Sequence, residues 1–407
     1  MIPDSPFIIE ENLSLGRYVT PVKNRKIPVY RWYNLNHSFS RDLVIKLLEE
    51  YRIPPNSVVL DPFCGSGTTL LACREKNINC IGVDMMPLSV FTAKSKLLKY
   101  DREKISRDFE HIFPSRQYDF GFEAADPYLH KCFPLEQLTR LLHLRYTISQ
   151  MPEPQRSFFA LALLNILKQI SFTKNDGAFL RFKTDFIPRT LNEVYPPQIR
   201  MMMEDTEDNG HQPGLHQALR ADARRIPLKD NTVDGVVTSP PYPNRHDYTR
   251  IYAIELLFDF LRDREELKQL RYRMLRSNVE ARRSVDIHGY SPPPRLTKLL
   301  NRLKKRKLPN RKVVDMVWGY FEDMHGVLSE VSRVCKPGAP IAFTVGNAKY
   351  GGIMFPVDEL LAEIGENLGL RTLKIIVCRY RGNAPQQMKR FGKESARESI
   401  VIWERKI

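Results

Sequence analysis

Residues 238–242, with the sequence Thr-Ser-Pro-Pro-Tyr, constrain the fold more than any other stretch of this chain. They follow an apolar, partly β-branched run at 233–237, which predicts a buried strand. Because Pro240 cannot donate to a sheet ladder, we expect the strand to end there and the next residues to project from its carboxyl end. Ligands bind at that edge of an open α/β sheet, so the stretch predicts a site.

The residue types in this stretch suit a planar group that carries an exocyclic amine. Pro240 and Pro241 lack an N–H, so the backbone there offers hydrogen-bond acceptors only. Ser239 adds a hydroxyl group, and Tyr242 adds an aromatic face. We therefore identify Ser239, Pro240, Pro241 and Tyr242 as candidate catalytic residues. A strand followed by an ordinary proline turn is the alternative that the stretch alone leaves open.

A second motif, Asp-Pro-Phe-Cys-Gly-Ser-Gly-Thr-Thr at 61–69, follows a predicted strand at 57–60 and precedes a predicted helix. Gly65 and Gly67 allow the backbone to turn sharply and to approach a ligand closely. Hydroxyl and N–H groups at the start of a helix favour an anionic group. The motif is not a Walker phosphate loop, and it lacks the third glycine of GxGxxG, so by itself it is a weak signal.

Two aspartates follow at the ends of further predicted strands. Asp84 ends the strand at 80–83, where a carboxylate can accept both hydroxyls of a ribose. Asp222 ends the third predicted strand and suits the amino group of an adenine ring. An aspartate in a surface turn is the alternative for Asp84, and a helix or turn cap is the alternative for Asp222. The succession of strand, loop, helix, strand and acid predicts the opening of a doubly wound nucleotide-binding sheet.

The motifs at 61–69 and 238–242 together resemble those of the amino-group DNA methyltransferases. These enzymes use S-adenosylmethionine and modify N4 of cytosine or N6 of adenine. The serine of Ser-Pro-Pro-Tyr is typical of the cytosine-N4 branch. The resemblance assigns the ribose to Asp84, the adenine ring to Asp222, and the target base to Ser239, the Pro240 carbonyl and Tyr242. It assigns the rest of the cofactor to residues of the first motif, namely Asp61, Phe63, Gly65, Gly67, Thr68 and Thr69.

The sequence departs from the family pattern in two respects. In many relatives with this cofactor loop the Pro-Pro motif precedes it, whereas here the motif follows, so the order is permuted. The segments 101–212 and 262–312 match no motif of the family. The resemblance therefore implies a reaction and a cofactor without implying a target sequence.

Composition bounds the class of protein. The chain has 407 residues and is 42% hydrophobic, enough for a large core. It has no run of about 18 apolar residues and no basic-then-apolar signal pattern, so we expect a soluble cytoplasmic protein. Its six cysteines form no CxxC pair and match no zinc template, which favours reduced structural thiols and no bound metal.

The charge of the chain points to a polyanion as partner. The net charge is +16, and the segment 262–312 holds 17 Lys and Arg against 5 Asp and Glu, a local +12. A solvated charged face is the alternative for such a run. Basic residues also alternate with aromatic ones at 172–183. The candidate nucleic-acid-binding residues are Arg302, Lys304, Lys305, Arg306, Lys174 and Arg181.

The predicted fold is α/β, with a doubly wound, mostly parallel, seven-stranded Rossmann-like methyltransferase sheet. Residues 1–100, 213–261 and 313–407 form its catalytic core. Residues 101–212 are a helical insertion and a candidate target-recognition or DNA-binding region. Residues 262–312 are a basic insertion and a candidate DNA-binding region.

The chemistry of the reaction explains the residues at 239–242. An exocyclic amine is a poor nucleophile because its lone pair is delocalised into the ring. Acceptors for its two hydrogens, Ser239 Oγ and the Pro240 carbonyl, favour a pyramidal nitrogen and act most strongly in the transition state. In duplex DNA the base must be flipped out of the helix, and stacking on Tyr242 would offset part of that cost.

The expected function is site-specific methylation of cytosine N4 in double-stranded DNA. The expected setting is a restriction–modification system, with a restriction endonuclease as a possible partner. Three alternatives remain at this point. The same chemistry could act on adenine N6, or an RNA guanine-N2 methyltransferase could carry similar motifs. The chain could also bind nucleic acid without catalysis, although both intact motifs argue against that.

Overall fold

The structure is a computed structural model that describes residues 5–35, 38–113, 126–176, 179–182, 186–206, 214–244, 246–382 and 395–407. The described strands are β1 (Ile9–Glu11), β2 (Val58–Asp61), β3 (Asn79–Asp84), β4 (Thr173–Asp176), β5 (Phe179–Phe182), β6 (His216–Arg220), β7 (Gly235–Thr238), β8 (Pro340–Gly346), β9 (Ala348–Tyr350), β10 (Ile353–Phe355), β11 (Leu370–Arg381) and β12 (Ala396–Arg405). The described helices are α1 (Arg41–Glu50), α2 (Thr68–Glu75), α3 (Pro87–Leu97), α4 (Arg102–Ile112), α5 (Pro127–Cys132), α6 (Leu135–Ser149), α7 (Gln155–Ile170), α8 (Leu191–Glu204), α9 (Tyr248–Ile251), α10 (Ala253–Glu255), α11 (Arg264–Arg273), α12 (Pro294–Lys304), α13 (Lys312–Val334) and α14 (Val357–Glu366).

Within the described residues, the central sheet has eight strands in the order β1-β11-β12-β8-β7-β2-β3-β6. Strand β12 runs antiparallel to β8 and β11, whereas the other neighbouring pairs are parallel. The predicted doubly wound, mostly parallel fold is confirmed. Strands β2 and β7 are neighbours, so the two sequence motifs that follow them meet at one edge of the sheet.

The predicted count of seven strands needs correction, because β1 adds an eighth. Residues Ile9–Glu11 pair in parallel with residues 375–377 of β11 at the edge of the sheet. The segment holds one apolar and two acidic residues, and three residues are too few to show an alternating pattern. Its pairing depends on the unpaired backbone groups of the β11 edge, and the local sequence carries no sign of that edge.

The strands at the centre of the sheet alternate between two apolar layers, because successive side chains point to opposite faces. Leu60 and Val236 face a layer formed with α13 and α14. Their neighbours in the sequence, Val59 and Val237, face the opposite layer, which is formed with α1 and α2. The core therefore lies on both faces of the sheet, as near-continuous apolar strands in a parallel sheet require.

The segment 101–212 is largely helical in its described part, and it packs into one apolar cluster with parts of the catalytic core. Helices α4 to α8 share this cluster with Trp32 and with residues 251–258. Asp205, which follows α8, is buried and accepts hydrogen bonds from Val29 N, the Arg31 guanidinium and Trp32 Nε1. The predicted domain boundaries stay predictions, and the one at 212–213 lies outside the described residues.

The segment 262–312 is basic, but many of its charges are already paired. Helix α12 is amphipathic, and Leu296, Leu300 and Leu303 are buried against the core. Arg276 is buried and forms ion pairs with Glu322 and Asp323 of α13. Other ion pairs in this part of the chain are Arg262–Glu266, Lys268–Glu265, Arg271–Asp247, Arg283–Glu322 and Arg295–Glu359. Because Arg271, Arg276, Arg283 and Arg295 pair with acidic residues outside the segment, its free charge is smaller than its composition indicates.

All six cysteines are buried and none forms a disulfide. In the part of the chain that the structure describes, no helix combines the length and the apolar character needed to cross a membrane. Nor do these residues contain a group of three or more His, Cys, Asp or Glu side chains able to hold a metal ion. Metal independence and a cytoplasmic location stay predictions.

Candidate active site

A cavity of about 380 Å³ lies at the carboxyl edge of the sheet, where the loops after β2, β3, β6 and β7 meet. This volume is within the usual range for small-molecule sites. The predicted site residues that line it are Phe63, Gly65, Asp84, Asp222, Ser239, Pro240, Pro241 and Tyr242. The fold thus brings together residues that are far apart in the sequence. The remaining predicted cofactor residues, Asp61, Gly67, Thr68 and Thr69, lie behind this wall.

Asp61 joins the two motifs without lining the cavity. Its carboxylate accepts hydrogen bonds from Phe63 N at 3.1 Å, from Thr69 Oγ1 at 2.6 Å and from Thr238 Oγ1 at 2.6 Å. Burial raises the pKa of Asp61 to about 6, although these three hydrogen bonds act in the opposite direction. Asp61 therefore has the position of a residue that orients both loops, rather than of one that contacts a ligand.

Asp84 is held at the cavity by the cofactor loop itself. Gly65 N donates to Asp84 Oδ2 at 3.0 Å, and Met86 N donates to Asp84 Oδ1 at 2.8 Å. Burial raises the pKa of Asp84 to about 6. The Gly65 backbone has a φ of +50°, a conformation that side chains with a Cβ rarely adopt. The glycine is thus needed to direct its N–H at Asp84.

Gly67 has a different role from the one the sequence indicates. Its φ is +85°, and a Cβ at this position would lie 3.0 Å from Cβ of Ala93 in α3. The absence of a side chain therefore allows α2 and α3 to approach each other. The motif contains two glycines, but the structure places only Gly65 of the pair in the wall of the cavity.

Asp222 lines the cavity and is fixed by an arginine two residues further on. The Arg224 guanidinium donates to Asp222 Oδ1 at 2.9 Å and to Oδ2 at 2.7 Å, and it also contacts Asp323 at 3.0 Å. Arg224 is itself buried. The assignment of Asp222 to the adenine ring stays a prediction.

Ser239 and Tyr242 are positioned by strands β8 and β12. Ser239 Oγ donates to the carbonyl oxygen of Thr344 at 3.1 Å, so the lone pairs of the hydroxyl remain available as acceptors. The Tyr242 hydroxyl donates to Oε1 of Glu398 at 2.9 Å. A Cβ at Gly346 would lie 2.9 Å from the ring, so this glycine makes room for it.

Several residues of the cavity wall were not identified from the sequence. They come from five parts of the chain, namely Thr20–Val22 with Arg25, His246 with Tyr248, Arg273–Leu275, Arg381 of β11 and Glu398 of β12. The general signal for Glu398 was that residues 397–403 resemble the last strands of the amino-group DNA methyltransferases. Residues 273–275 of the basic segment 262–312 thus form part of the cavity wall.

The predicted nucleic-acid-binding residues are on the surface. Arg302, Lys304, Lys305 and Arg306 are exposed at the end of α12, and none of them forms an ion pair within the described part of the chain. A Cβ at Gly351, in the turn between β9 and β10, would lie 3.3 Å from Cβ of Arg306. That turn follows the carboxyl end of β8, so the cluster lies on the catalytic side of the sheet. Lys174 and Arg181 are exposed register partners in the β4–β5 hairpin.

Comparison with known proteins agrees with this geometry. A family described as DNA methylase matches residues 20–95. The type II methyltransferase M.BsoBI of Geobacillus stearothermophilus is 31% identical over 98% of this chain and 90% of that protein. M.AvaI of Nostoc sp. is 29% identical over 96% of this chain and 89% of that protein. A solved structure, geranyl diphosphate C-methyltransferase from Streptomyces coelicolor, is 8% identical over 89% of this chain and 79% of that chain, with a TM-score of 0.34.

The sheet topology and the cavity at its carboxyl edge define a methyltransferase of the α/β class. More narrowly, the chain belongs to the type II methyltransferases, in the N4/N6 class of amino-DNA methyltransferases. It is therefore an enzyme that methylates DNA, and the resemblance inferred from the motifs is confirmed. Since this class of enzymes uses S-adenosylmethionine, the cofactor predicted from that resemblance is confirmed as well.

The described residues fit this cofactor. Asp84 offers a carboxylate in the cavity wall, and Phe63 and Gly65 line the cavity beside it. Helix α2 begins directly behind this loop, and its N-terminus favours a negatively charged group. Asp84 is suited to the ribose, and the loop with Phe63 and Gly65 to the methionine part.

Proposed function

We propose that this enzyme methylates the exocyclic N4 amine of cytosine in duplex DNA, as the modification enzyme of a restriction–modification system. The observation that carries the proposal is the position of Ser239 and Pro240 in the cavity wall at the end of β7. A serine at this point of the motif, rather than an acidic or amide residue, is typical of the cytosine-N4 branch. The type II relatives support a role beside a restriction endonuclease.

Ser239 and Pro240 would activate the amine by accepting its two hydrogens. The Ser239 proton is already donated to Thr344, which leaves Ser239 Oγ available as an acceptor. Both acceptors favour a pyramidal nitrogen, whose lone pair is no longer delocalised into the ring. They are in place before the reaction and act most strongly in its transition state. S-adenosylmethionine supplies the electrophilic methyl group when it is bound.

The target base would enter the cavity beside Tyr242. A cytosine in a duplex cannot reach Ser239, so it must be flipped out, at a cost of a few kcal/mol. Stacking on the Tyr242 ring would offset part of that cost. The hydrogen bond to Glu398 and the contact with Gly346 fix the orientation of the ring in advance.

The duplex would contact two exposed basic regions. The first is the end of α12, with Arg302, Lys304, Lys305 and Arg306. The second is the β4–β5 hairpin, with Lys174 and Arg181. Contacts of this kind position a duplex on the protein without reading its sequence.

The product of the reaction tests this proposal. Duplex DNA without prior methylation is incubated with the protein and S-adenosylmethionine, digested to nucleosides, and analysed by chromatography and mass spectrometry. We expect N4-methylcytosine, and we expect it to form much more slowly with a Ser239→Ala variant under the same conditions. N6-methyladenine as the only product would show that the protein belongs to the adenine branch instead.

A further inference from the structure

The 3-10 helix Pro21–Lys26 lies at the cofactor cavity and is fixed there by one buried amide. Asn24 is 2% exposed, and its Nδ2 donates to the Phe39 carbonyl at 3.0 Å and to Thr68 Oγ1 at 3.5 Å. Its Oδ1 accepts from Arg41 N at 2.9 Å. Thr68 is the first residue of α2, so Asn24 holds the 3-10 helix against the N-terminus of α2.

Arg25 follows Asn24 and lines the cavity. It is exposed, and it forms no ion pair within the described part of the chain. Two other arginines of the cavity wall already form ion pairs, Arg224 with Asp222 and Arg381 with Glu398. Arg25 therefore brings a free positive charge to the end of the cavity where α2 begins.

Arg273 is a further exposed arginine in the wall, but it belongs to a different region of the cavity. Its carbonyl oxygen accepts a hydrogen bond from Arg224, the residue that holds Asp222. It therefore lies beside the loop after β6, whereas Arg25 lies beside the loop after β2. Only Arg25 is tied by its neighbour to the start of α2.

We propose that Arg25 binds the α-carboxylate of the methionine part of S-adenosylmethionine. This inference rests on the cofactor assignment and not on the identity of the methylated base. A guanidinium can bind a carboxylate through two parallel hydrogen bonds, which fixes both position and orientation. The N-terminus of α2 favours the same negative group. Arg25 would thus fix the methionine end of the cofactor, while Asp84 fixes the ribose.

The test compares two ligands that differ only in the carboxylate, S-adenosylmethionine and decarboxylated S-adenosylmethionine. Their affinities are measured by calorimetry for the parent protein, for Arg25→Gln and for Arg25→Lys. We expect Arg25→Gln to bind S-adenosylmethionine about 10- to 100-fold more weakly, as for a lost charge-assisted hydrogen bond. Its affinity for the decarboxylated ligand should equal that of the parent. Arg25→Lys should recover part of the loss, because a lysine keeps the charge without the paired donors.

Lys26→Gln is the matched control, since Lys26 is an exposed cation in the same 3-10 helix and does not line the cavity. It should bind both ligands as the parent does, with an unchanged melting temperature. An equal loss for both ligands in Arg25→Gln would overturn the proposal. Unchanged binding of both ligands together with weaker DNA binding would also overturn it, and would assign Arg25 to a phosphate. If the parent protein binds neither ligand, the cofactor assignment itself is wrong. If the product assay finds N6-methyladenine, only the proposed target base is wrong.

Discussion

The Tyr242 hydroxyl donates a hydrogen bond of 2.9 Å to Oε1 of Glu398, a residue 156 positions further along the chain. Glu398 is 2% exposed and lies in β12, where it also forms ion pairs with Arg379 and Arg381 of β11. The hydrogen bond links the loop after β7 to the last two strands of the sheet. The orientation of the Tyr242 ring is therefore set by strands that are remote from it in sequence.

Replacing Tyr242 by alanine should reduce turnover on duplex DNA while leaving cofactor binding unchanged. The physical reason is the loss of base stacking, which contributes roughly 1–3 kcal/mol in single-strand binders, or about 5- to 150-fold in rate. The measurements are steady-state kinetics with a duplex substrate and calorimetry with S-adenosylmethionine.

Tyr242→Phe is the control, because it keeps the ring and removes only the hydroxyl group that donates to Glu398. It should retain most of the activity. A collapse of cofactor affinity in Tyr242→Ala would place Tyr242 in the cofactor site, contrary to the proposed stacking role.

Replacing Ser239 by alanine should lower kcat by up to roughly 100-fold, by analogy with the loss of one preorganised hydrogen bond to a reacting group. Cofactor affinity should stay unchanged. Ser332→Ala is a matched control, since Ser332 Oγ also donates to a backbone carbonyl, that of Leu368 at 2.7 Å, away from the cavity. Kinetics at saturating cofactor measure the effect. An equal loss of activity in both variants would mean that Ser239 acts only through its bond to Thr344.

The affinity for S-adenosylmethionine should fall as the pH is lowered through about 6. Burial raises the pKa of Asp84 to about 6, and the protonated carboxyl loses its capacity to accept both ribose hydroxyls. Affinity should therefore be complete above about pH 7 and decrease by up to about tenfold per pH unit well below pH 6. Calorimetry between pH 5 and 8, with buffers of matched ionic strength, checks this.

Asp84→Asn should bind the cofactor weakly and without this pH dependence. Protonation of Asp61 and Asp84 does not itself favour unfolding, because burial raises the pKa of both carboxyl groups to about 6. The native state therefore takes up their protons before the unfolded state does. The stability contributed by these two groups is larger at low pH and decreases as the pH rises from about 4 to 6. The same pH dependence in Asp84→Asn would assign the effect to another group.

The exposed basic residues at the end of α12 should control the salt dependence of DNA binding. Each phosphate contact contributes about −0.9 to the slope of log affinity against log salt concentration. Changing Arg302, Lys304, Lys305 and Arg306 to Gln should therefore flatten the slope by up to about 3–4 units. Methylation should weaken about equally on all target sequences, and cofactor binding should not change.

A second variant with four other exposed cations changed to Gln is the control for net charge. These residues, at the amino-terminal edge of the sheet, are Arg52, Lys76, Lys336 and Arg371. The control should leave the slope nearly as in the parent protein. An unchanged slope in the α12 variant would mean that the cluster is only a solvated face. A changed target sequence would mean that it reads bases.

The motifs identified from the sequence lie where a parallel sheet requires them. The loops after β2 and β7 follow neighbouring strands, and Asp84 and Asp222 lie in the same cavity wall. Residue type and strand order were enough for these positions, because the carboxyl ends of parallel strands share one edge. The same reasoning could not separate Gly65 from Gly67, since both have positive φ and only the position of α3 gives them different roles.

The sequence by itself determined the fold class, the cofactor loop and the Ser-Pro-Pro-Tyr motif, because each depends on local residue types and on strand periodicity. The tertiary structure alone decided which residues complete the cavity. The hydrogen bonds of Asn24 hold its neighbour Arg25 at the cavity. Glu398 of β12 accepts a hydrogen bond from Tyr242 in the loop after β7. It also decided that Arg276 is neutralised by Asp323. Such contacts join residues from distant segments, and their formation depends on the packing of the whole chain rather than on any local pattern.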